Sequence, residues 1–299
     1  MSEERINKVG ETYRGIRNAL RYQLSNLFDF DPVKHSVPDD KLTGLDRWIL
    51  GEFSKLEAEV MGDNGAYYNY EFHVVYKKLS QFIAVELSSI YHDVIKDRLY
   101  TDAANSPRRR STQTALHRLV TGLCRMLAPI LAFTADEAWE FISGKPTGSV
   151  HEAQWANTRF NLPNSEQVIW KTLFSLREAA LPKLEEKRKT KLIGKSLDAH
   201  VYSIFAPNFE SQATIAIVQK HQAELKELLN VSQFSFKHDT SRKLESGTSE
   251  FEGKISIDVF TAQGQKCERC WHWETDIGTN PEHPTICGRC VEAVKQSKA

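Results

Sequence analysis

Residues 267–290 read CERCWHWETDIGTNPEHPTICGRC, and this stretch decides the fold of the last part of the chain. Two Cys-x-x-Cys pairs, Cys267 with Cys270 and Cys287 with Cys290, flank a turn-rich insert. This spacing is typical of a structural zinc ribbon, in which both pairs hold the same ion. Four thiolates complete a tetrahedral site and leave no open position for a substrate. The sequence therefore predicts one structural zinc ion that takes no part in catalysis.

The cysteines could instead form disulfides, or a histidine could replace one of them as a zinc ligand. Disulfides are disfavoured because no signal peptide or long apolar span precedes the cysteines, so we expect a reducing cytoplasm. His272 and His283 lie in the insert and could replace a cysteine as ligand, although four well-spaced thiolates make this unnecessary. Cys124 lies in an apolar run, and we expect it to be a packed core thiol.

Length and charge limit the possible functions. The chain has 299 residues, with 39 Lys and Arg against 39 Asp and Glu, so its formal net charge is zero. It is longer than one typical domain. A nucleic-acid partner would have to be held by local basic patches, because there is no overall positive field. The composition is that of a folded protein, and we expect no membrane partner and no DNA.

Apolar residues recur at three- and four-residue intervals through residues 1–143, which is the pattern of amphipathic helices. Pro129 removes an interior hydrogen bond, so the preceding helix should end or kink there. The capping-box pattern Thr134-Ala135-Asp136-Glu137 then predicts a restart. Consecutive amphipathic helices with short connections indicate an antiparallel bundle. The predicted helices cover about 2–27, 45–60, 69–99 and 107–127, the last capped by Ser106.

The second half of the chain changes in character. We expect an irregular connection and a basic helix in 144–195, with the helix over about 166–189 interrupted or bent at Pro182. Period-two alternation then predicts a small α+β domain in 196–260. The zinc ribbon would occupy 261–299. The predicted strands are 199–205, 234–236 and 255–259, with a helical stretch over 211–229 and a polar loop over 239–250. The fold class is thus mainly α, with a helical bundle, a small α+β domain and a zinc ribbon.

One apparent nucleotide-binding motif fails on inspection. Gly194-Lys195-Ser196 looks like the end of a phosphate-binding loop, but that motif needs a glycine where Lys189 stands. We therefore reject nucleotide binding at this position. The sequence shows no nucleophile elbow, metalloprotease helix or dinucleotide fingerprint.

Two kinds of residue are candidates for RNA contacts. Arginines in the first turn of the fourth helix are mutually unfavourable unless acids such as Asp97 and Asp102, or an external polyanion, offset them. They would either contact phosphates or form a solvated charged turn. Of Trp271 and Trp273, we expect one to stack on single-stranded RNA and the other to pack over the metal site, and the spacing leaves open which. The full set of candidate RNA-binding residues is Arg98, Arg108, Arg109, Arg110, Lys187, Arg188, Lys189, Trp271 and Trp273.

These motifs resemble a known family. Residues 267–273 together with 286–290 resemble the C-terminal zinc module of bacterial-type isoleucyl-tRNA synthetases. Upstream, the motifs at 13–18, 97–100 and 129–139 resemble the helical anticodon-binding domain of that enzyme and of its class Ia relatives. Residues 193–199 resemble the junction that follows the bundle in these enzymes. The resemblance runs in order over essentially the whole chain.

The resemblance implies a partner and a division of labour. It implies that the chain binds tRNA for isoleucine and supports ATP-dependent aminoacylation. ATP would be bound only by a separate or missing catalytic half, because the His-Ile-Gly-His-like and Lys-Met-Ser-Lys-Ser-like signatures and the editing insertion do not occur in this sequence. Whether the chain counts as an enzyme therefore stays open.

Two rival interpretations were considered. The ribbon also resembles the zinc module of formamidopyrimidine-type DNA glycosylases, but those proteins need a proline–glutamate start, and this sequence opens Met1-Ser2-Glu3-Glu4. The stronger rival is a free-standing zinc-ribbon RNA-binding protein without synthetase activity. A catalytic fragment that co-purifies with the chain would argue against that rival.

Overall fold

The computed structural model describes residues 3–155, 159–205, 212–238 and 255–298. The chain divides into two compact units, 1–162 and 163–299. The first unit is helical, and the second combines helices with a small sheet and the four-cysteine module. The predicted fold class is confirmed. The finer division of the chain into four parts stays a prediction.

Seven α-helices form most of the described part of the first unit. A π-helical segment, Ile83–Tyr91, joins the fourth helix to the fifth without a break, so the long helix predicted over 69–99 is present. No helix in the described residues of either unit is long and apolar enough to cross a membrane. The helices are α1 (Glu3–Ser25), α2 (Pro32–His35), α3 (Gly44–Met61), α4 (Phe72–Phe82), α5 (His92–Thr101), α6 (Pro107–Leu127) and α7 (Ala132–Glu140).

Helix α6 is the centre of this bundle, because it packs against α1, α3, α5 and α7. Leu116, Leu119 and Leu123 on α6 are completely buried, as are Phe53 on α3 and Trp139 on α7. Burying each such side chain contributes about 1.5–3 kcal/mol relative to leaving it in water. The apolar periodicity read from the sequence therefore corresponds to one shared core.

The helix ends agree only in part with the predictions from local sequence patterns. Helix α6 ends at Leu127, before Pro129, as predicted. The predicted restart at Thr134 is wrong, because α7 already begins at Ala132. The Thr134 hydroxyl instead hydrogen-bonds the Tyr13 hydroxyl at 3.0 Å. Ser106 does precede α6, but its hydroxyl makes no capping hydrogen bond.

The second unit contains a three-stranded sheet in the order β2-β1-β3. β1 pairs with β2 in parallel and with β3 antiparallel. The long helix α8 runs through Pro182 as a single helix, so it is not interrupted there, and the alternative of a bend stays a prediction. The predicted polar loop over 239–250 lies outside the described residues. The elements are α8 (Asn164–Lys189), β1 (Ala199–Phe205), α9 (Gln212–Lys220), α10 (Gln222–Leu228), β2 (Gln233–His238) and β3 (Ile255–Thr261).

The cysteine module follows β3. A short hairpin of β4 (Gln265–Lys266) and β5 (Trp273–Glu274) carries the first cysteine pair in its loop, and α11 (Gly288–Lys298) begins between the two cysteines of the second pair. Gly264 starts the hairpin with φ +96°, and a Cβ there would lie 2.3 Å from the Glu274 carbonyl oxygen. Only glycine fits at this position.

Candidate metal centre and nucleic-acid interface

The four predicted cysteines come together. Their sulfur atoms all lie within 4.8 Å of one another. Cys267 Sγ is 3.8 Å from Cys290 Sγ, and Cys270 Sγ is 3.8 Å from Cys287 Sγ. A tetrahedron with Zn–S bonds of about 2.3 Å has sulfur–sulfur edges of about 3.8 Å, so the arrangement fits zinc. All four cysteines are free thiols, which excludes the disulfide alternative for this structure.

The surroundings of the cluster suit thiolate ligands. All four cysteines are buried, and they form the core of the module with Ile277 and Ile286 packed against them. The Cys287 amide lies 3.4 Å from Cys267 Sγ, and the Arg269 guanidinium donates to Cys290 Sγ at 3.6 Å. Donors of this kind stabilise the negative charge of thiolates and orient metal ligands.

The remaining candidate ligands lie elsewhere. Neither His272 nor His283 belongs to the described metal-ligand cluster. Cys124 is completely buried in the bundle, and burial raises the pKa of its thiol to about 12. An inert core thiol, as expected from the sequence, accounts for this residue.

The two tryptophans of the module have different environments. Trp271 is 55% exposed, and it has a left-handed backbone with φ +65° while its amide donates to the Cys267 carbonyl at 2.9 Å. Trp273 is partly buried, and its indole Nε1 donates to Asp198 Oδ1 at 3.0 Å. Trp271 is therefore the tryptophan available for stacking. Trp273 is anchored by a carboxylate of the junction, a partner that the sequence did not indicate.

The rejected phosphate-loop sequence lies beside Trp271. The Lys195 ammonium is 5.3 Å from the centre of the Trp271 ring, within cation–π distance. Arg188, near the end of α8, donates through Nη2 to the Ser196 hydroxyl at 3.1 Å. The basic end of α8 is therefore linked to the turn that carries Lys195. We call Lys187, Arg188, Lys189, Lys195 and Trp271 the basic–aromatic surface.

Not all charges of this surface are equally available. Lys187 is half-buried and lies 3.6 Å from Glu186, and Arg188 pairs with Glu185. Lys189 and Lys195 are exposed. Exposed ion pairs are weak, so a phosphate can compete for these cations.

The arginines at the start of α6 have intramolecular partners. Arg108 is held by Asp102, with two donor–acceptor distances of 2.8 Å, and by Asp97 at 3.3 Å. Acids therefore offset the charge of Arg108, as the sequence allowed. Arg109 makes a bidentate pair with Asp29, with Nη1–Oδ2 2.6 Å and Nη2–Oδ1 2.9 Å.

Arg110 is bound to the same turn. Its Nη1 donates to the Asp29 carbonyl and to Gln113 Oε1, and its Nη2 donates to Asn105 Oδ1 at 2.9 Å. The side chains of Arg109 and Arg110 are only 6% and 10% exposed. Because their donors face the protein, these arginines do not form a solvated turn, and their role in RNA binding stays a prediction.

Arg98 belongs to a buried polar network around Asp46. Asp46 is fully buried, and its carboxylate accepts hydrogen bonds from Tyr91 Oη at 2.6 Å and Ser111 Oγ at 2.5 Å. Arg98 Nη1 lies 3.3 Å from Asp46 Oδ2 and also donates to Thr43 and Thr112. Through these contacts, Arg98 on α5 connects Asp46 on α3 with Thr112 on α6. This geometry gives Arg98 a role within the bundle, and its role in RNA binding stays untested.

The fold and site together define a class of protein: a helical bundle with a four-cysteine zinc module and an exposed basic–aromatic surface. A family model described as "Anticodon-binding domain of tRNA ligase" matches residues 46–203. A second, described as "Zinc finger found in FPG and IleRS", matches residues 264–293. The chain belongs to the family of tRNA-ligase anticodon-binding domains. The zinc-finger match and the cysteine cluster together support one structural zinc ion.

Curated relatives of this chain are isoleucine–tRNA ligases. The protein from Syntrophotalea carbinolica is 40% identical over 293 residues, covering 97% of this chain and 30% of the relative. That from Desulfitobacterium hafniense is 39% identical over 299 residues, covering 97% and 31%. That from Geobacter sulfurreducens is 37% identical over 301 residues, covering 99% and 31%. The chain thus spans about 30% of the length of these relatives, in their C-terminal part. The resemblance to the synthetase family is confirmed.

Proposed function

We propose that this chain is the tRNA-binding C-terminal portion of an isoleucine–tRNA ligase, with tRNA for isoleucine as its partner. The family match and the names of the relatives support this proposal. In the complete reaction, a catalytic fragment would bind ATP and form the aminoacyl bond, and the chain described here would hold the tRNA. A cytoplasmic location is the matching expectation for a protein of translation.

The observation that carries the proposal is the basic–aromatic surface beside the zinc module. Phosphates dominate the affinity of proteins for nucleic acids, and Lys189, Lys195 and Arg188 offer cations for them. Unstacked bases of a single-stranded loop bind exposed aromatic rings, and Trp271 offers such a ring. An anticodon loop contains both groups, so its chemistry matches this surface.

The zinc ion has a supporting part in this proposal. We assign Cys267, Cys270, Cys287 and Cys290 as its ligands. When bound, zinc supplies a rigid cross-link between the hairpin and α11, and no chemistry of the reaction. The loop of the first cysteine pair ends at Cys270, directly before Trp271. Metal binding therefore fixes the place from which the indole projects.

Holding the tRNA contributes to catalysis by position. A tRNA bound at its anticodon end has fewer orientations available at its acceptor end. This lowers the entropic barrier for a catalytic fragment that must meet the acceptor end. The chain would therefore raise the rate of tRNA charging without contacting the reacting atoms.

The salt dependence of tRNA binding tests the proposal. Lys189→Gln should weaken binding to all tRNAs alike and lower the slope of log affinity against log salt by about one. Lys295→Gln, on α11 and paired with Glu292 in the wild type, is the matched control and should leave the slope unchanged. Salt-independent binding of the wild-type chain, or an unchanged slope in Lys189→Gln, would contradict the proposed phosphate contacts.

Preference among tRNAs separates this proposal from a free-standing RNA-binding protein. Binding of labelled isoleucine tRNA should be displaced more readily by unlabelled isoleucine tRNA than by a tRNA with an unrelated anticodon. Equal displacement by both would favour the free-standing RNA-binding alternative. The comparisons favour the ligase.

A further inference from the structure

Asp198 links two segments that carry the basic–aromatic surface. It ends the 3-10 turn Ser196–Asp198 between α8 and β1, and its side chain is 21% exposed. Its Oδ2 accepts hydrogen bonds from the backbone amides of Lys195 at 2.8 Å and Gly194 at 3.2 Å. Its Oδ1 accepts the indole N–H of Trp273 at 3.0 Å. The two oxygens of one carboxylate thus bind the Lys195 turn and the zinc-module hairpin.

Further contacts keep this carboxylate in place. The Lys266 ammonium lies 3.8 Å from Oδ1, and the Asp198 carbonyl accepts the Ala262 amide at 2.8 Å. Burial would raise the pKa of Asp198, but the hydrogen bonds from Trp273 and the Lys195 amide outweigh it and lower the pKa. The group is therefore an acceptor on both oxygens at neutral pH.

We propose that Asp198 is a positioning residue for RNA binding, which holds the Lys195 ammonium and the Trp271 indole side by side as one site for a nucleotide. Lys195 belongs to the turn that Asp198 Oδ2 binds. Trp271 lies two residues before Trp273, which Asp198 Oδ1 binds. In this arrangement the ring stacks on a base while the ammonium meets the adjacent phosphate. The inference rests on the proposed function.

Other contacts hold the hairpin to the sheet domain without replacing this link. The Trp273 amide donates to Ser232 Oγ at 2.8 Å, and Lys226 lies 3.1 Å from Glu274. Neither contact involves the amides of Gly194 or Lys195. Loss of the Asp198 carboxylate should therefore leave the hairpin attached and release the Lys195 turn or the Trp273 indole.

The variant Asp198→Asn tests the link itself. An amide group has one acceptor oxygen, so its NH2 would face either the Trp273 indole or the two backbone amides. We expect faster hydrogen exchange at the Gly194 and Lys195 amides or at the Trp273 indole N–H, measured by NMR on zinc-loaded full chain. Asp258→Asn, on β3, is the matched control with the same change of charge, and it should leave these protons unchanged.

Binding of unfractionated tRNA, followed by fluorescence anisotropy, tests the consequence. Removing a negative charge beside a polyanion site should by electrostatics alone strengthen binding, and Asp258→Asn controls for the change in net charge. The positioning role requires the opposite change in affinity, because Asp198→Asn would displace the stacking ring. We expect tRNA binding to be about fivefold weaker in Asp198→Asn, which is part of the affinity that a stacked ring contributes. Lys195→Ala should also be less harmful in the Asp198→Asn background than in the wild type.

The outcomes separate the two proposals. Unchanged exchange, stronger binding in Asp198→Asn, or an equal effect of Lys195→Ala in both backgrounds would overturn the positioning role. Wild-type protein that binds no tRNA would overturn the proposed function and this role in it, whatever the exchange shows. Trp273→Phe, which removes the indole donor and keeps a smaller aromatic ring, gives a second variant in case Asp198→Asn does not fold, and it should weaken binding in the same direction.

Discussion

Trp271 has a left-handed backbone that disfavours most side chains. Its φ of +65° follows from the turn in which its amide bonds the Cys267 carbonyl. Residues with a Cβ lose about 1–2 kcal/mol in this region, and glycine does not. A large aromatic ring at such a position suggests that the ring serves binding rather than stability.

This strain predicts a separation of stability from binding. Trp271→Gly and Trp271→Ala should both weaken tRNA binding by about 1–3 kcal/mol, because both remove the stacking ring. The glycine variant should be the more stable of the two by about 1 kcal/mol, because only glycine adopts this backbone without strain. Thermal unfolding and anisotropy titrations measure the two effects. Wild-type affinity in both variants would show that Trp271 does not stack on RNA.

The ionised carboxylate of Asp29 contributes to the stability of the bundle. Burial would raise its pKa, but hydrogen bonds from Arg109 and Gln113 outweigh burial, and the pKa lies below its ordinary value of 3.8. A carboxyl group with a lowered pKa in the folded state stabilises that state when it is ionised. Its contribution is present above about pH 4 and is lost as the pH falls through the folded-state pKa.

We therefore expect Asp29→Asn to lower the stability of the bundle at pH 7. Urea unfolding between pH 7 and pH 3 should show a weaker acid dependence in the variant than in the wild type. Asp40→Asn, whose wild-type side chain is 74% exposed, is the control and should leave the profile unchanged. A wild-type profile in Asp29→Asn would show that the pairing with Arg109 contributes nothing.

At the scale of elements, the zinc module has little core besides its cysteines. Its buried cluster consists of Cys267, Cys270, Cys287 and Cys290, with Ile277 and Ile286 packed against it. Small modules of this kind take their folding free energy from the metal. The bundle has an apolar core of its own around α6, which does not depend on metal.

Chelation should therefore unfold the module and leave most of the helicity intact. Far-ultraviolet circular dichroism should change little on treatment with a strong chelator, while the fluorescence of Trp271 and Trp273 changes and tRNA binding weakens. Adding zinc back under reducing conditions should restore both. Protein purified with reductant that contains no zinc by elemental analysis would contradict the metal assignment.

The start of α6 shows how elements neutralise one another's charge. Three consecutive arginines at a helix N-terminus are unfavourable, since that end of a helix is already positive. Asp97 and Asp102 compensate Arg108, and Asp29, which follows α1, compensates Arg109 and Arg110. These pairs connect the helices and hold the arginines inside the bundle.

At the scale of the whole molecule, the proposed role predicts a division between two assays. The chain alone should not catalyse isoleucine-dependent pyrophosphate exchange, because its one Gly-Lys-Ser sequence lacks the loop that holds ATP phosphates. Added to a catalytic fragment of the same enzyme, it should raise tRNA charging and change amino-acid activation much less. The variant Asp198→Asn should raise tRNA charging less than the wild-type chain does. Exchange by the purified chain alone would reveal an unrecognised active site.

Local patterns were sufficient for the helices and for the metal site. The apolar periodicity predicted α1, α3 and α6 closely, because a helix that buries one face must repeat its apolar residues every three to four positions. The cysteine spacing predicted the cluster, because a tight turn alone brings two thiolates onto one ion. The start of α7 at Ala132 was not predicted, because the capping pattern at Thr134 is a local signal and the Thr134 hydroxyl instead pairs with Tyr13, which is distant in sequence.

The sequence by itself determined the helical fold class, the four-cysteine site and the family, since each depends on residues close together in the chain. Only the tertiary structure decided which charges and rings are available. Asp46 and Asp29 form ion pairs with buried arginines that lie far away in sequence. Asp198 accepts a hydrogen bond from Trp273, while Trp271 stays exposed. The physical reason is that a charged or aromatic side chain can bind RNA only if the fold does not bury it against a partner, and such partners come from any part of the chain.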